Sequence, residues 1–220
     1  PTILTPPGAQ AGDYFGMTFS RQNTGNKIAI GGQGFDNNTG ALFVYDASDL
    51  TAAPIRAASP TSAGAGAYIT AAWSSVCFSD NYLIGSSGPR SEVYLWDLTD
   101  LTAQPTVLSS PDSNISDFGF TTAVIGNNLI VGHATTSSDV DNKLYVYDLT
   151  DLNAAPLNIA PAGVDNGTRF ARDIEVGGGY MVVSESHVAG NRGRVWVYDA
   201  SDLTAAPTPV ANPDTVGKIG

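Results

Sequence analysis

Four short stretches are apolar on both alternating faces: Leu42-Phe43-Val44-Tyr45, Tyr94-Leu95-Trp96, Leu144-Tyr145-Val146-Tyr147 and Val195-Trp196-Val197-Tyr198. A strand without a polar face belongs to a sheet covered on both sides. Each run ends in an aspartate and leads into one phrase, VYDASDLTAAP at 44–54, LWDLTDLTAQP at 95–105, VYDLTDLNAAP at 146–156 and VYDASDLTAAP at 197–207. The first aspartates, Asp46, Asp97, Asp148 and Asp199, stand 51 residues apart, so the chain is a tandem array. A period of this length with strands inside each unit marks an architecture in which no unit buries its apolar faces without neighbours.

Within each period the pattern predicts four strands. In the first unit they are a (Gly16–Gln22), b (Lys27–Gly32), c (Gly40–Asp46) and d (Ile55–Ser59), with a turn at Asn23–Asn26 and a polar b–c loop at Gln33–Thr39. The second unit aligns Ala72-Trp73 with the start of strand a and turns at Ser79-Asp80-Asn81. The third runs from Phe118-Gly119 through Gly126-Asn127-Asn128 to Leu129–Gly132, and the fourth from Phe170-Ala171 through Gly177–Gly179 to Tyr180–Val183. Four antiparallel strands per 51 residues make one propeller blade. The expected fold is all-β, a β-propeller of four-stranded antiparallel blades with four blades covered, in one repeat domain over 1–220. Its repeats fall at about 1–53, 54–104, 105–155 and 156–206, with a fifth opening at 207–220. Pro1–Pro6 aligns with Pro54–Pro60 as the d strand of a unit lacking its earlier strands, and Lys218-Ile219-Gly220 aligns with Tyr14-Phe15-Gly16. The expectation is therefore a portion of a longer polypeptide, completed by further blades of the same chain or by neighbouring subunits.

The aspartates of the phrase read as turn chemistry. Asp46, Asp49, Asp97, Asp100, Asp148, Asp151, Asp199 and Asp202 each precede Ser, Thr or Asn by two positions, the spacing of Asx turns. Leu50, Leu101, Leu152 and Leu203 follow as anchors, and Pro54, Pro105, Pro156 and Pro207 open an edge strand, where a missing N–H is tolerated.

The motifs Phe15-Gly16-Met17-Thr18, Ile28-Ala29-Ile30-Gly31-Gly32 and Gly40-Ala41-Leu42-Phe43-Val44-Tyr45 resemble the FG-GAP repeat of integrin α-subunit-type propellers. Phe118-Gly119 with Ile130-Val131-Gly132 is similar. Unit two departs with Ala71-Ala72, unit four with Phe170-Ala171, and no unit keeps the Ala-Pro of the family's second motif. The resemblance implies a propeller used for extracellular recognition. The Asp-Leu-Thr-Ala-x-Pro wording is also similar to that of repeat proteins of marine bacteria and their phages. In many family members the a–b turn is a Ca²⁺ loop, but here these turns lack the carboxylates that a hard cation needs. Candidate Ca²⁺ ligands lie instead in the b–c loops, at Asp36 in unit one and at Asp139 and Asp141 in unit three. No metal or cofactor is expected.

Charge narrows the partners. With 21 acidic against 10 basic residues the net charge is −11, and only three residues are lysine, so the surface disfavours nucleic acid and anionic lipid. No apolar run is long enough to span a membrane, and membrane insertion is not expected. The lone Cys77 sits in the apolar stretch Val76-Cys77-Phe78 and reads as a buried structural thiol. His133 and His187, the two histidines, fall in adjacent b–c loops and read as solvated residues. An enzyme would have to assemble its site there, with Glu185 and Asp139 as neighbours. No catalytic constellation is marked. The expected role is a non-enzymatic structural or recognition and adhesion module on a cell or virion surface, with a protein or glycan partner. The alternative is a glycan-processing or metal-dependent hydrolase centred on His133 and His187.

Overall fold

The computed structural model describes residues 2–69, 75–112, 117–133, 143–188 and 193–211. It is an all-β structure of four four-stranded antiparallel sheets, the blades of a β-propeller. Blade 1 is ordered β1 (Thr18–Arg21), β2 (Lys27–Gly32), β3 (Ala41–Asp46), β4 (Ile55–Arg56), and blade 2 is β5 (Val76–Phe78), β6 (Tyr82–Ser87), β7 (Glu92–Asp97), β8 (Thr106–Ser109). Blade 3 is β9 (Phe118–Ile125), β10 (Asn128–His133), β11 (Leu144–Asp148), β12 (Leu157–Ile159), and blade 4 is β13 (Phe170–Gly177), β14 (Tyr180–Glu185), β15 (Arg194–Asp199), β16 (Thr208–Ala211). Every fourth strand comes from the residues that open the next sequence repeat.

Two compact units divide the chain, Pro1–Pro111 with Ser116–Thr122, and Asp112–Ile115 with Ala123–Gly220. Inside each unit consecutive blades pack by one rule. In the first, Ala29, Leu42 and Val44 of blade 1 meet Val76, Leu83, Tyr94 and Trp96 of blade 2. In the second, Ile130, Leu144 and Val146 of blade 3 meet Met181, Val183, Trp196 and Tyr198 of blade 4. Alternate residues of one c strand, Leu42 and Val44 or Leu144 and Val146, thus face the third and fifth of the next, as the period-2 alternation requires.

Strands b and c lie where the pattern places them. Strand d of blade 1 is shorter than expected, Ile55–Arg56 in place of Ile55–Ser59, because after Ala57 donates to Leu42 O at 3.0 Å the chain turns away to bond Leu101 O through Ala58 N at 2.9 Å. The b–c loop of blade 1 is not plain coil. Phe35–Asn38 forms a short helical turn in which Asp36, Asn37 and Asn38 all have positive φ, and it buries Phe35. Residues 2–6 form no strand; Leu4 packs beside Phe43 and Tyr45. Ala71, Ala72, Trp73 and 212–220, with the expected fifth-unit start, lie outside the described residues.

The Phe-Gly dipeptide has a backbone explanation. Gly16 (φ 90°) and Gly119 (φ 81°) are left-handed, and so is the residue before each phenylalanine, Tyr14 at φ 52° and Asp117 at φ 70°. A Cβ on Gly119 would come within 2.9 Å of Val93 Cγ2. Blade 4 holds the same geometry with Arg169 (φ 54°) and Ala171 (φ 63°), so Ala171 adopts a conformation that costs an L-residue about 1–2 kcal/mol. The strand register is irregular between Phe170 and Ile174.

Candidate functional site

Each blade has two chemically different ends. At one end the c–d turn repeats the same bonds in all four blades. Asp46, Asp97, Asp148 and Asp199 accept through Oδ1 from the backbone N–H of Ser48, Thr99, Thr150 and Ser201 at 2.8 Å, and from the hydroxyl of the same residue at 2.5–2.7 Å. Asp49, Asp100, Asp151 and Asp202 accept from the N–H of Thr51, Thr102, Asn153 and Thr204 at 3.0–3.2 Å. Hydroxyl bonds first, then backbone N–H bonds, hold the carboxyls of Asp46, Asp49, Asp97, Asp100, Asp148, Asp199 and Asp202 below the usual carboxylate range. The turn also hooks onto the a–b hairpin of its own blade, through Ala47 N to Asn26 O (2.6 Å), Leu98 N to Asn81 O (2.9 Å), Leu149 N to Asn127 O (2.8 Å) and Ala200 N to Gly179 O (2.9 Å). Leu101 and Leu203 are buried beneath it, while Leu50 and Leu152 are half-buried. Asp46, Asp97, Asp148 and Asp199 close the c strands, and all eight aspartates accept from a residue two positions on.

At the other end, where strand b hands over to strand c, the blades share a frame and differ in chemistry. Gly32, Ser87 and Glu185 close strand b directly opposite Ala41, Glu92 and Arg194, which open strand c. In blade 3, His133 closes the strand, and Lys143 stands one residue before β11. The third c-strand position is aromatic throughout, at Phe43, Tyr94, Tyr145 and Trp196. Residues two apart share a face, so a charged first position lies over that ring.

Blade 4 has the densest set. Glu185 is fully buried and takes both Arg194, which also reaches Gly163 O, and the indole N–H of Trp196 at 2.9 Å. The Arg194 guanidinium lies 4.5 Å above the Trp196 ring. In blade 3, Asp112 pairs with Lys143 at 2.5 Å and accepts from the Tyr145 hydroxyl at 2.8 Å, with Lys143 Nζ 5.5 Å over the Tyr145 ring. Those bonds, with a smaller contribution from neighbouring His133, hold the Asp112 carboxyl low, while burial and the Asp112 charge push the Tyr147 phenol up to about 12. Blade 2 inverts the charge. Glu92 accepts from Tyr94 Oη at 2.6 Å and from Ser62 Oγ at 3.3 Å, and burial together with this carboxylate raises the Tyr94 phenol. In blade 1 the first position is the small Ala41, and the cation comes from strand d. Arg56 pairs with Asp36 and lies 5.7 Å from the Phe43 ring and 6.0 Å from Phe35.

These placements correct three expectations. His133 is not a solvated loop residue but the fully buried end of β10. Glu185 is no partner of the histidines, because Arg194 and Trp196 occupy its oxygens. Asp36 is met by a guanidinium rather than left open for a cation. His187 is exposed, with Nδ1 2.9 Å from Ser186 Oγ, and desolvation, then Arg169 and Arg172, lower its pKa. Asp139 and Asp141 lie outside the described residues. Cys77 is half-buried, its Sγ 3.4 Å from Thr122 Oγ1, and burial pushes the thiol up to about 11. Among the described residues no three His, Cys, Asp or Glu side chains converge, and no helix is long and apolar enough to cross a membrane. Arg194, Trp196 and Lys143 were missed from sequence. Their signal is an i, i+2 charge–aromatic pair recurring at the start of strand c, visible once the repeats are laid over one another.

No family model and no curated protein matches the sequence. Among solved structures the chain is similar to Sqt1 of Saccharomyces cerevisiae, with a TM-score of 0.55 at 11% identity over 94% of this chain and 51% of that one. It is also similar to the dihydro-heme d1 dehydrogenase NirN solved in complex with DHE, at 0.52 and 17% identity over 88% of this chain and 37% of that one. The chain therefore spans about half the length of the first and a little over a third of the second. Both are propeller-type proteins, and at these identities the likeness is one of fold.

Proposed function

We propose that the chain is a non-enzymatic recognition module of a cell or virion surface, and that it engages a protein or glycan partner through the b–c ends of its blades. The observation that carries this reading is the contrast between the two ends of every blade. The c–d turns repeat the same bonds four times, whereas the start of strand c offers Ala41, Glu92, Lys143 and Arg194 in one register position. Diversity at one position of an otherwise constant frame is how a scaffold carries binding chemistry.

The same geometry weighs against hydrolysis. A general base needs a carboxylate or imidazole free to take a proton, yet Glu185 is committed to Arg194 and Trp196, and Asp112 to Lys143 and Tyr145. The FG-GAP resemblance and the acidic, lysine-poor composition point the same way. Glycan- and protein-array screens with and without EDTA, run beside a glycosidase and esterase panel, test the reading. Saturable binding lost in Lys143→Glu or Glu92→Lys variants is the expected result. Turnover on the panel, abolished by His133→Ala with binding intact, would replace it with the hydrolase reading.

A further inference from the structure

Inside each unit one blade-to-blade junction repeats the same construction with a different filling. In the first unit the tail of the Leu-Thr-Ala-x-Pro phrase of blade 2 lies against the stretch after β4. There Gln104 bridges two main-chain groups. Its Oε1 accepts from Thr61 N at 2.9 Å and its Nε2 donates to Ser59 O at 3.1 Å. Trp96 Nε1 donates to Ala58 O at 2.8 Å beside it.

In the second unit the matching tail, Leu203–Pro207 of blade 4, lies against Leu157–Ala162 of blade 3, and two changes open the junction. Ala57 bonds Leu42 and Ile159 pairs with Leu144, so the two strands end in the same register. The following turn begins at Pro60, three residues on, in one case and at Pro161, two residues on, in the other. Each proline carbonyl accepts from the N–H three positions later. Blade 3 therefore has no counterpart of Ala58. The second change is Ala206 in the place of Gln104. What remains is a pocket of about 330 Å³, open to solvent, with Ile159 and Leu203 buried at its base and Leu157, Ala160, Ala162 and Ala206 exposed around it.

Ala160 and Ala162, which line the pocket, correspond to Ser59 and Thr61, whose carbonyl and N–H Gln104 bridges in the first unit. Among the described residues Ala160 O and Ala162 N make no hydrogen bond. Tyr198 stands where Trp96 stands, and its buried hydroxyl has no partner among the described residues. It packs in one cluster with Ile159 and Leu203, which line the cavity.

We propose that this cavity is a binding site for a primary carboxamide, the side chain of a glutamine or asparagine on a partner polypeptide. Reading a carbonyl and an N–H from one edge requires a donor and an acceptor side by side, which a primary amide has. A carboxylate offers only acceptors and an ammonium only donors. A trans secondary amide points its N–H and C=O in opposite directions. Nucleobases present a suitable edge but bring phosphates, which a chain of net charge −11 repels. The site is separate from the b–c ends, so it stands whether or not those ends bind a partner.

The test is an amide-resolved NMR titration with acetyl-Gly-Gln-Gly-N-methylamide, with the Glu peptide as control. The glutamine peptide is expected to shift Ala160, Ala162 and Ala206 saturably and the glutamate peptide to leave them in place. An Ala206→Gln variant supplies the carboxamide internally. It should abolish the shifts and raise Tm by about 2–4 °C. Absence of shifts with the glutamine peptide at tens of millimolar, equal shifts with both peptides, or shifts that persist in Ala206→Gln would overturn the proposal.

Discussion

The c–d turns and the b–c ends are both polar and both built on the same strands, yet they hold their charges in opposite ways. The turn aspartates are exposed and satisfied within two residues of themselves, so each turn is a local solution that can be copied unchanged into every blade. At the b–c ends the bonds that join Glu185 to Arg194 and Trp196, and Asp112 to Lys143 and Tyr145, cross between different strands or loops. The lesson is that a repeat keeps what is locally determined, whereas groups that depend on partners elsewhere can be exchanged blade by blade. Loss of one bond should therefore cost little at the turns and much at the other end.

Glu185→Ala is expected to give the largest effect. It leaves Arg194 and the Trp196 N–H without their acceptor, and breaking a buried pair from one side costs about 3–5 kcal/mol, read by urea denaturation. A loss below about 1 kcal/mol would place Glu185 among the locally satisfied groups. Tyr94→Phe removes the hydroxyl bond to Glu92 and should cost about 1.5–3 kcal/mol. Ala171→Gly should run the other way, stabilising blade 4 by about 1 kcal/mol as the left-handed strain is relieved; an unchanged midpoint would count against that strain.

At the turns the expected effects are small and pH-linked. Because hydrogen bonds depress the aspartate pKa values in the folded state, their stabilisation is fully present above about pH 4 and is lost as the pH falls through the lower folded values. Thermal unfolding followed from pH 7 to pH 2.5 should show Tm falling only below that point. Asp148→Ala should lower Tm at neutral pH by no more than about 2–4 °C, weaken the acid dependence and leave partner binding unchanged. Unchanged melting with abolished binding would make the turn a recognition element.

The parts of the fold legible in the sequence are those governed by neighbours in the chain. Strands b and c announce themselves by apolar residues on both faces, and the turns by Asp two places before Ser or Thr. The a–b turns and the b–c loop of blade 1 fall where glycine and asparagine punctuate the sequence. His133 was misplaced because it follows Gly132 and precedes a polar stretch, which reads as a loop. Its burial is decided by what packs over the strand end, and nothing within a few residues carries that information. Likewise Phe35 sits among Gly, Asp and Asn, and its packing with Ala41, Tyr45 and Phe43, the last ring 5.0 Å away, explains why that turn folds inward. The ion pairs of the b–c ends join partners from 9 to 31 positions apart in sequence, beyond the reach of local pattern.

The hook from each c–d turn to its own a–b hairpin has an engineering consequence. It ties three strands of a blade together at one end, like pages at a spine, while the opposite margin carries chemistry that changes from blade to blade. A blade is in that sense a cassette. Segments between strands b and c can be exchanged for others of different length without disturbing the bonds that Asn26, Asn81, Asn127 and Gly179 accept at the other end, and the 51-residue spacing repeats that arrangement in every blade.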